Sequence, residues 1–184
     1  MSLPETLEKI AAERVVKARV GIVDSATYPD GELVAFVGYV NEYGYEGRIP
    51  ERQGVVRHLI NEKTGEFKKK GQFASKEKAN FERQVTIPAY DLKIPSRPFF
   101  RTAIAKNRDK LGPMLIGFIG EGKSADEAMR LVCEYMVDEL RESVITWEDP
   151  PNAASTVRKK GFNAPLRGED FLLRNSFSYE ISDD

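Results

Sequence analysis

The sequence predicts an α+β fold carrying an inserted β-hairpin arm. Three observations lead there. Alternating apolar and polar residues near both ends read as strands, residues 125–146 carry the pattern of a capped amphipathic helix, and the middle of the chain holds a basic hairpin signal.

Taken in order, Leu3 to Glu13 sets Leu3, Leu7, Ile10 and Ala11 on one stripe, a short helix that tolerates Pro4 in its first turn. Val15 to Val23 alternates Val16, Ala18, Val20 and Ile22 with Lys17, Arg19 and Gly21, as a strand with one buried face does. Tyr28-Pro29-Asp30-Gly31 has turn chemistry. Glu32 to Tyr43 places Leu33, Val34, Val37 and Val40 near helical spacing; Gly38 and the β-branched residues leave a strand as the alternative, and helix is preferred, ending near Gly44.

The character then changes. Val55 to Ile60, the turn Asn61-Glu62-Lys63-Thr64-Gly65 and Glu66 to Lys70 read as a β-hairpin, placed at about 54–73 within an extended insert over 47–90. Residues 54–83 hold eight Lys or Arg against four Glu, so this arm is locally basic. Val85 to Ile94 is cut by Pro88 and suits an edge strand. A helix is expected from Pro98, with Phe99, Phe100, Ala103, Ile104 and Leu111 as its stripe, and Gly112-Pro113 is expected to break or kink it.

Ser124-Ala125-Asp126-Glu127 is a capping box, and the helix it opens has one broad face of Ala128, Leu131, Val132, Tyr135, Met136, Leu140 and Val144 that is apolar except at Glu139. Asp149-Pro150-Pro151 stops that run, and Ser155 to Lys160 suits one helical turn before Gly161. Leu172 to Ile181, alternating at Phe177, Tyr179 and Ile181, reads as a final strand.

The 184 residues fit a single domain, 1–184. A hydrophobic fraction of 41%, the absence of a long apolar run and the lack of a signal-like start lead us to expect a soluble chain made in the cytoplasm, with no membrane partner. The net charge of −1 gives no global attraction to polyanions, so any such binding is local. The single cysteine, Cys133, excludes an internal disulfide, and its neighbours Leu131, Val132 and Met136 suggest a buried thiol acting as a small apolar group.

No catalytic constellation stands out. His58, the one histidine, has no Cys or His at ligand spacing and reads as a lone exposed strand residue. Gly117, Gly122, Lys123 and Ser124 satisfy the spacing of a phosphate loop, and Met114 to Ile119 is compatible with the strand such a loop needs. No later hydrophobic run ends in Asp, and too little chain follows for that fold, so a plain helix-capping loop is preferred. Glu134, Asp138, Glu139 and Glu142 follow a helical surface, where charges are usually solvated. The expectation is no enzyme activity, no metal and no cofactor.

Four segments carry a resemblance. They are Val34 to Gly44, ending Asn41-Glu42-Tyr43-Gly44; Ile94-Pro95-Ser96-Arg97-Pro98-Phe99-Phe100-Arg101; Pro151-Asn152-Ala153 through Ser155-Thr156 to Lys160-Gly161; and Pro165-Leu166 with Leu173 to Tyr179. In this order they resemble the tailed-phage neck and tail-completion proteins, the group that includes virion-morphogenesis and minor tail proteins. The chain departs from that pattern at Arg167-Gly168-Glu169-Asp170-Phe171, where the family usually has Asp-Thr-Gly, and in its long insert.

The resemblance implies a small, mostly antiparallel sheet packed against two or three helices, and a structural virion protein without catalysis. It implies a homo-oligomeric head–tail connector or neck ring that forms in the host cytoplasm and ends in the virion. Its partners would be other neck, connector or tail-tube proteins, with DNA passing near in the lumen. Arg97, Phe99, Phe100 and Arg101 are then candidates for subunit interfaces, as are Lys68, Lys69 and Lys70 of the hairpin. Intrachain pairing of the two arginines is the alternative. The competing function is a nucleic-acid-binding accessory protein that uses Lys68, Lys69 and Lys70 on phosphates.

Overall fold

The structure, a computed structural model, describes residues 5, 16–68, 73–168 and 170–183. The helix expected over residues 3–13 therefore lies, apart from Glu5, outside the described residues, as do Lys69 and Lys70. Helices and small antiparallel two-stranded sheets make an α+β fold. The chain divides into two compact units, residues 46–93 and the remainder.

In the larger unit, β1 (Val16–Gly21) pairs antiparallel with β6 (Ser178–Asp183), so the first and last described strands close on each other, with Ala18 opposite Ile181 and Val20 opposite Tyr179. A turn at Gly31, whose φ of 91° suits glycine, leads into α1 (Val34–Tyr43). Helix α2 (Phe99–Gly120) and α3 (Ala125–Thr146) pack against each other along their lengths. Two short helices follow, α4 (Ala154–Lys160) and α5 (Leu172–Asn175).

Helix α3 is the centre of this unit. Its cap is the expected one, with Ser124 Oγ accepting the Glu127 N–H at 3.2 Å, and Asp126 and Glu127 complement the positive helix start. Val132, Met136, Leu140 and Val144 recur at four-residue spacing and are buried, as is Val137 beside them. The main core joins Val137, Leu140 and Val144 to Val34, Phe99, Ala103, Leu166, Leu173 and Phe177. Cys133 is buried, and that burial pushes its thiol pKa up, as befits a packing residue.

Two expectations are corrected here. Gly112-Pro113 does not end α2: the helix runs through to Gly120, so Met114 to Ile119 is helical and not a strand. Pro113 is exposed, so its lost hydrogen bond faces water, while buried Ala103 and Asn107 before it and buried Ile119 after it anchor the helix. The final strand is also shorter than expected, because Leu173 and Phe177 are buried at a helical spacing of four and α5 precedes β6.

The smaller unit is built from β2 (Tyr45–Ile49) paired with β5 (Tyr90–Ile94), and β3 (Arg52–His58) paired antiparallel with β4 (Phe81–Ile87). The turn of the hairpin expected over 54–73 is present, and β3 pairs in addition with a strand beyond it. The turn at Asn61–Gly65 forms, closed by Asn61 N–H to Glu66 O at 2.8 Å, and among the described residues its arms are linked by the bridges Ile60 to Phe67 and His58 to Phe73 and by the Lys68 and Ala74 N–H groups on the Leu59 and Arg57 carbonyls, each at 2.8 Å. The full ladder goes to β4, where Phe81, Val85, Thr86 and Ile87 supply the β-formers that the lysine run lacks. His58 is not exposed: it is 8% accessible, with ring contacts to Phe67 at 4.9 Å and Phe73 at 5.4 Å.

Candidate functional site

The conspicuous site in the larger unit is a buried polar junction where three helix ends meet. Asn41 and Glu42 stand at the end of α1, Ser96 to Arg101 lead into α2, and Pro150 and Pro151 follow α3. All but Pro150 belong to three of the segments that carry the resemblance, and the junction is what they build together.

Helix α2 begins without a cap of its own, since Pro98 stands at its N-cap and offers no side-chain acceptor. Glu42 supplies one from α1. Its carboxylate, only 5% exposed, accepts the N–H of Phe100 at 2.9 Å through Oε2 and the N–H of Arg101 at 3.1 Å through Oε1. Arg101 Nε donates to the same Oε1 at 2.8 Å, and its Nη2 to the Glu42 carbonyl at 3.1 Å. A negative charge thus sits against the positive end of a 22-residue helix and beside a guanidinium. Ser96 Oγ donates to the same Glu42 carbonyl at 2.7 Å.

Arg97 ties the third helix end in. It is 7% exposed and spreads its planar head over neutral acceptors: Nε to Pro150 O at 3.1 Å, Nη2 to Pro151 O at 3.4 Å and Nη1 to Asn41 Oδ1 at 3.2 Å. Its own N–H donates to the Asn41 carbonyl at 2.7 Å. Burial lowers its pKa from the ordinary value.

Gly44 makes the close approach possible. Its φ is 78°, and a Cβ there would lie 2.9 Å from both the Ile94 carbonyl oxygen and the Ser96 nitrogen. Gly38, on α1, meets Ile22 and Leu173 closely enough that a methyl group would sit at 3.3 and 3.4 Å from them.

A second polar network lies between α2 and α3 and explains the one polar residue on the apolar face. Asn107 is fully buried; its amide donates to Glu139 Oε2 at 2.7 Å and its Oδ1 accepts from Tyr135 at 2.8 Å and from Lys110 at 2.8 Å. The Asn107 bond, more than the pairing with Lys106, holds the Glu139 carboxyl below its usual range.

The candidates for subunit contacts differ in exposure within the chain. Phe99 is 2% exposed inside the core, and Arg97 is spent on its own chain. Arg101 pairs with Glu42 of the same chain, although its side chain is still 54% exposed. Phe100 is half-buried against Phe177, and Lys68 is exposed. Sequence reasoning did not assign roles to Asn41 and Glu42; the signal available was an acid and an amide closing an otherwise apolar helix just before a glycine.

The Gly117–Ser124 spacing is a helix-to-helix connection. Gly117 lies inside α2, and the amides of Glu121, Gly122 and Lys123 donate to Gly117, Ile119 and Phe118 carbonyls, which uses the donors a phosphate would need.

Around the junction, α1 turns an aromatic stripe outward: Phe36, Tyr39 and Tyr43 are 56%, 61% and 54% exposed, at helical spacing, with Leu33 before them. The Tyr39 and Tyr43 rings meet at 4.7 Å, tilted by 41°, and the Arg101 guanidinium lies 4.8 Å over Tyr43. An apolar hollow of about 210 Å³ beside the stripe is lined by Ile22, Gly38, Tyr39, Phe100 and Phe177.

Among the described residues no helix is long and apolar enough to cross a membrane, and no group of His, Cys, Asp and Glu is placed to hold a metal ion. Comparison with family models, curated proteins and solved structures finds no match for this chain.

Proposed function

We propose that the chain is a structural virion protein of a tailed phage, a neck or tail-completion ring subunit that joins head and tail during morphogenesis and catalyses no reaction. The observation that carries the reading is the convergence of the quoted segments on one fastening of helix ends, which leaves the aromatic stripe of α1 facing water. Exposed aromatic rings held on a braced helix suit protein contact better than solvent. On this reading the partners are further copies of the chain and other neck, connector or tail-tube proteins, met first in the host cytoplasm and kept in the virion.

The test is made on particles. Purified virions blotted with an antibody to the chain contain it in fixed ratio to the tail proteins, and a phage lacking it accumulates full heads and tails that do not join. Virions free of the protein, or normal particles in its absence, overturn the proposal.

A further inference from the structure

Around helix α4 the larger unit gathers positive charge that the described carboxylates beside it do not pair. Helix α4 finishes with Arg158, Lys159 and Lys160. Arg167 lies against two rings, 4.4 Å from the centre of Phe162 and 5.2 Å from that of Phe171, and Lys160 stands 5.0 Å over Phe162 while donating to the Ala164 carbonyl at 2.8 Å. None of these four cations has an ion pair among the described residues. The hollow beside them, lined by Ser155, Thr156, Lys159, Lys160, Gly168 and Asp170, includes one carboxylate, and Asp170 already accepts the Leu172 N–H at 3.1 Å. The Lys160 ammonium is lowered in pKa by burial and then by the positive Arg97 and Arg167, so the charges are close enough to repel.

An anion relieves that repulsion, and its kind can be argued from magnitude. Four cations against Asp170 and the neighbouring Glu169 of the sequence leave a surplus of about two charges, well short of the about 6–10 phosphate contacts of a strongly salt-dependent nucleic-acid binder. The whole chain carries −1, so it does not steer toward polyanions. A matching group of carboxylates lies on the same chain: Glu142, Glu148 and Asp149 rim a second hollow at the end of α3, exposed and without ion pairs among the described residues, while Glu139 beside them is already paired with Lys106 at 3.2 Å.

We propose that the basic hollow of one copy receives the Glu142, Glu148 and Asp149 rim of a second copy. The inference rests on the ring reading only in taking the partner to be another copy of this chain. Because the two surfaces are made of different residues, each copy that gives its acidic rim to one neighbour keeps its basic hollow for the next, and repetition builds a ring where the rotation between neighbours closes and an open filament where it does not.

Sedimentation in low salt tests this with four samples: the wild-type chain, Arg158→Glu/Lys159→Glu, Glu142→Lys/Glu148→Lys, and the two variants mixed. All substituted side chains are exposed, and circular dichroism checks that each variant folds. The wild type self-associates and dissociates as salt is raised. Each variant alone, now like-charged on both surfaces, associates at least about tenfold more weakly, and the equimolar mixture recovers association. A wild type that stays monomeric at the highest concentration reached in low salt, variants that associate like wild type, or a mixture that does not recover each overturn the proposal. Virion blotting fails separately: charge-dependent association without virion incorporation removes the ring reading alone, and incorporation without charge dependence removes this pairing alone.

Discussion

Replacing Glu42 by Gln isolates what the carboxylate does for the start of α2. The substitution keeps the size and one oxygen, so the acceptor for either Phe100 or Arg101 is exchanged for a donor, and the charge is lost. A buried N–H left facing a donor costs about 1–3 kcal/mol. The lost charge at the helix start adds about 0.5–1 kcal/mol, and the Arg101 pair, whose guanidinium side chain is 54% exposed, adds about 0.5 kcal/mol after solvent screening. The whole comes to about 2–4.5 kcal/mol, which for a chain of this length lowers Tm by about 4–18 °C. Thermal melts followed by circular dichroism at a helical wavelength report the larger unit, where the described helices lie. Arg101→Ala serves as the comparison and loses no more than about 1 kcal/mol, because it removes only the exposed partner. If Glu42→Gln melts within about 2 °C of wild type, or if Arg101→Ala costs more than Glu42→Gln, the reasoning that Glu42 is the cap of α2 is wrong.

The other predictions follow from single residues. Gly44→Ala destabilises the larger unit by at least about 2 kcal/mol in chemical denaturation, well beyond Gly31→Ala, since both carry positive φ but only Gly44 also meets backbone at 2.9 Å. Glu139 has its carboxyl pKa lowered in the fold, so its stabilisation is complete above the ordinary glutamate value of about 4.3 and is lost as pH falls through the lower folded value; the stability gap between wild type and Glu139→Gln, measured by denaturation across pH, narrows over that acid range. Cys133 reacts slowly with a thiol reagent in the native protein and fully in denaturant; rapid native labelling removes the packing assignment.

Where the sequence alone was informative, local rules and tertiary packing agree. The capping box at Ser124 and the apolar face it opens marked α3 correctly at both ends, because a long amphipathic helix at the centre of a core has no competing pattern. The errors fall where packing overrides a local rule. Gly112-Pro113 does not end α2, because buried Ala103 and Asn107 before it and buried Ile119 after it anchor the helix, and Leu173 is buried on the short α5 where a strand was expected. The junction was legible as a set of segments but not as a set of bonds: nothing in local spacing states that Glu42 caps a helix starting at Phe99, because that pairing is a property of how the helix ends meet. The basic hollow was missed for a related reason. Ser155 to Lys160 read only as one helical turn, and the fold adds Arg167 to its cations.

The two arginines of the second segment divide the work in a way their symmetry in sequence conceals. Arg101 faces a carboxylate, so its charge is neutralised where it stands. Arg97 is given only carbonyl and amide oxygens, which satisfy its donors without cancelling its charge. Its field therefore reaches Lys160, whose pKa it helps to lower, and adds to that of Arg167. A carboxylate in place of the Pro150 and Pro151 carbonyls would hold the helix ends equally well but would quench that field. The junction thus has a second consequence beyond bracing: by binding Arg97 through neutral acceptors it keeps the neighbouring hollow positive, and the same residue that fastens α1 to the end of α3 strengthens the attraction for an acidic rim.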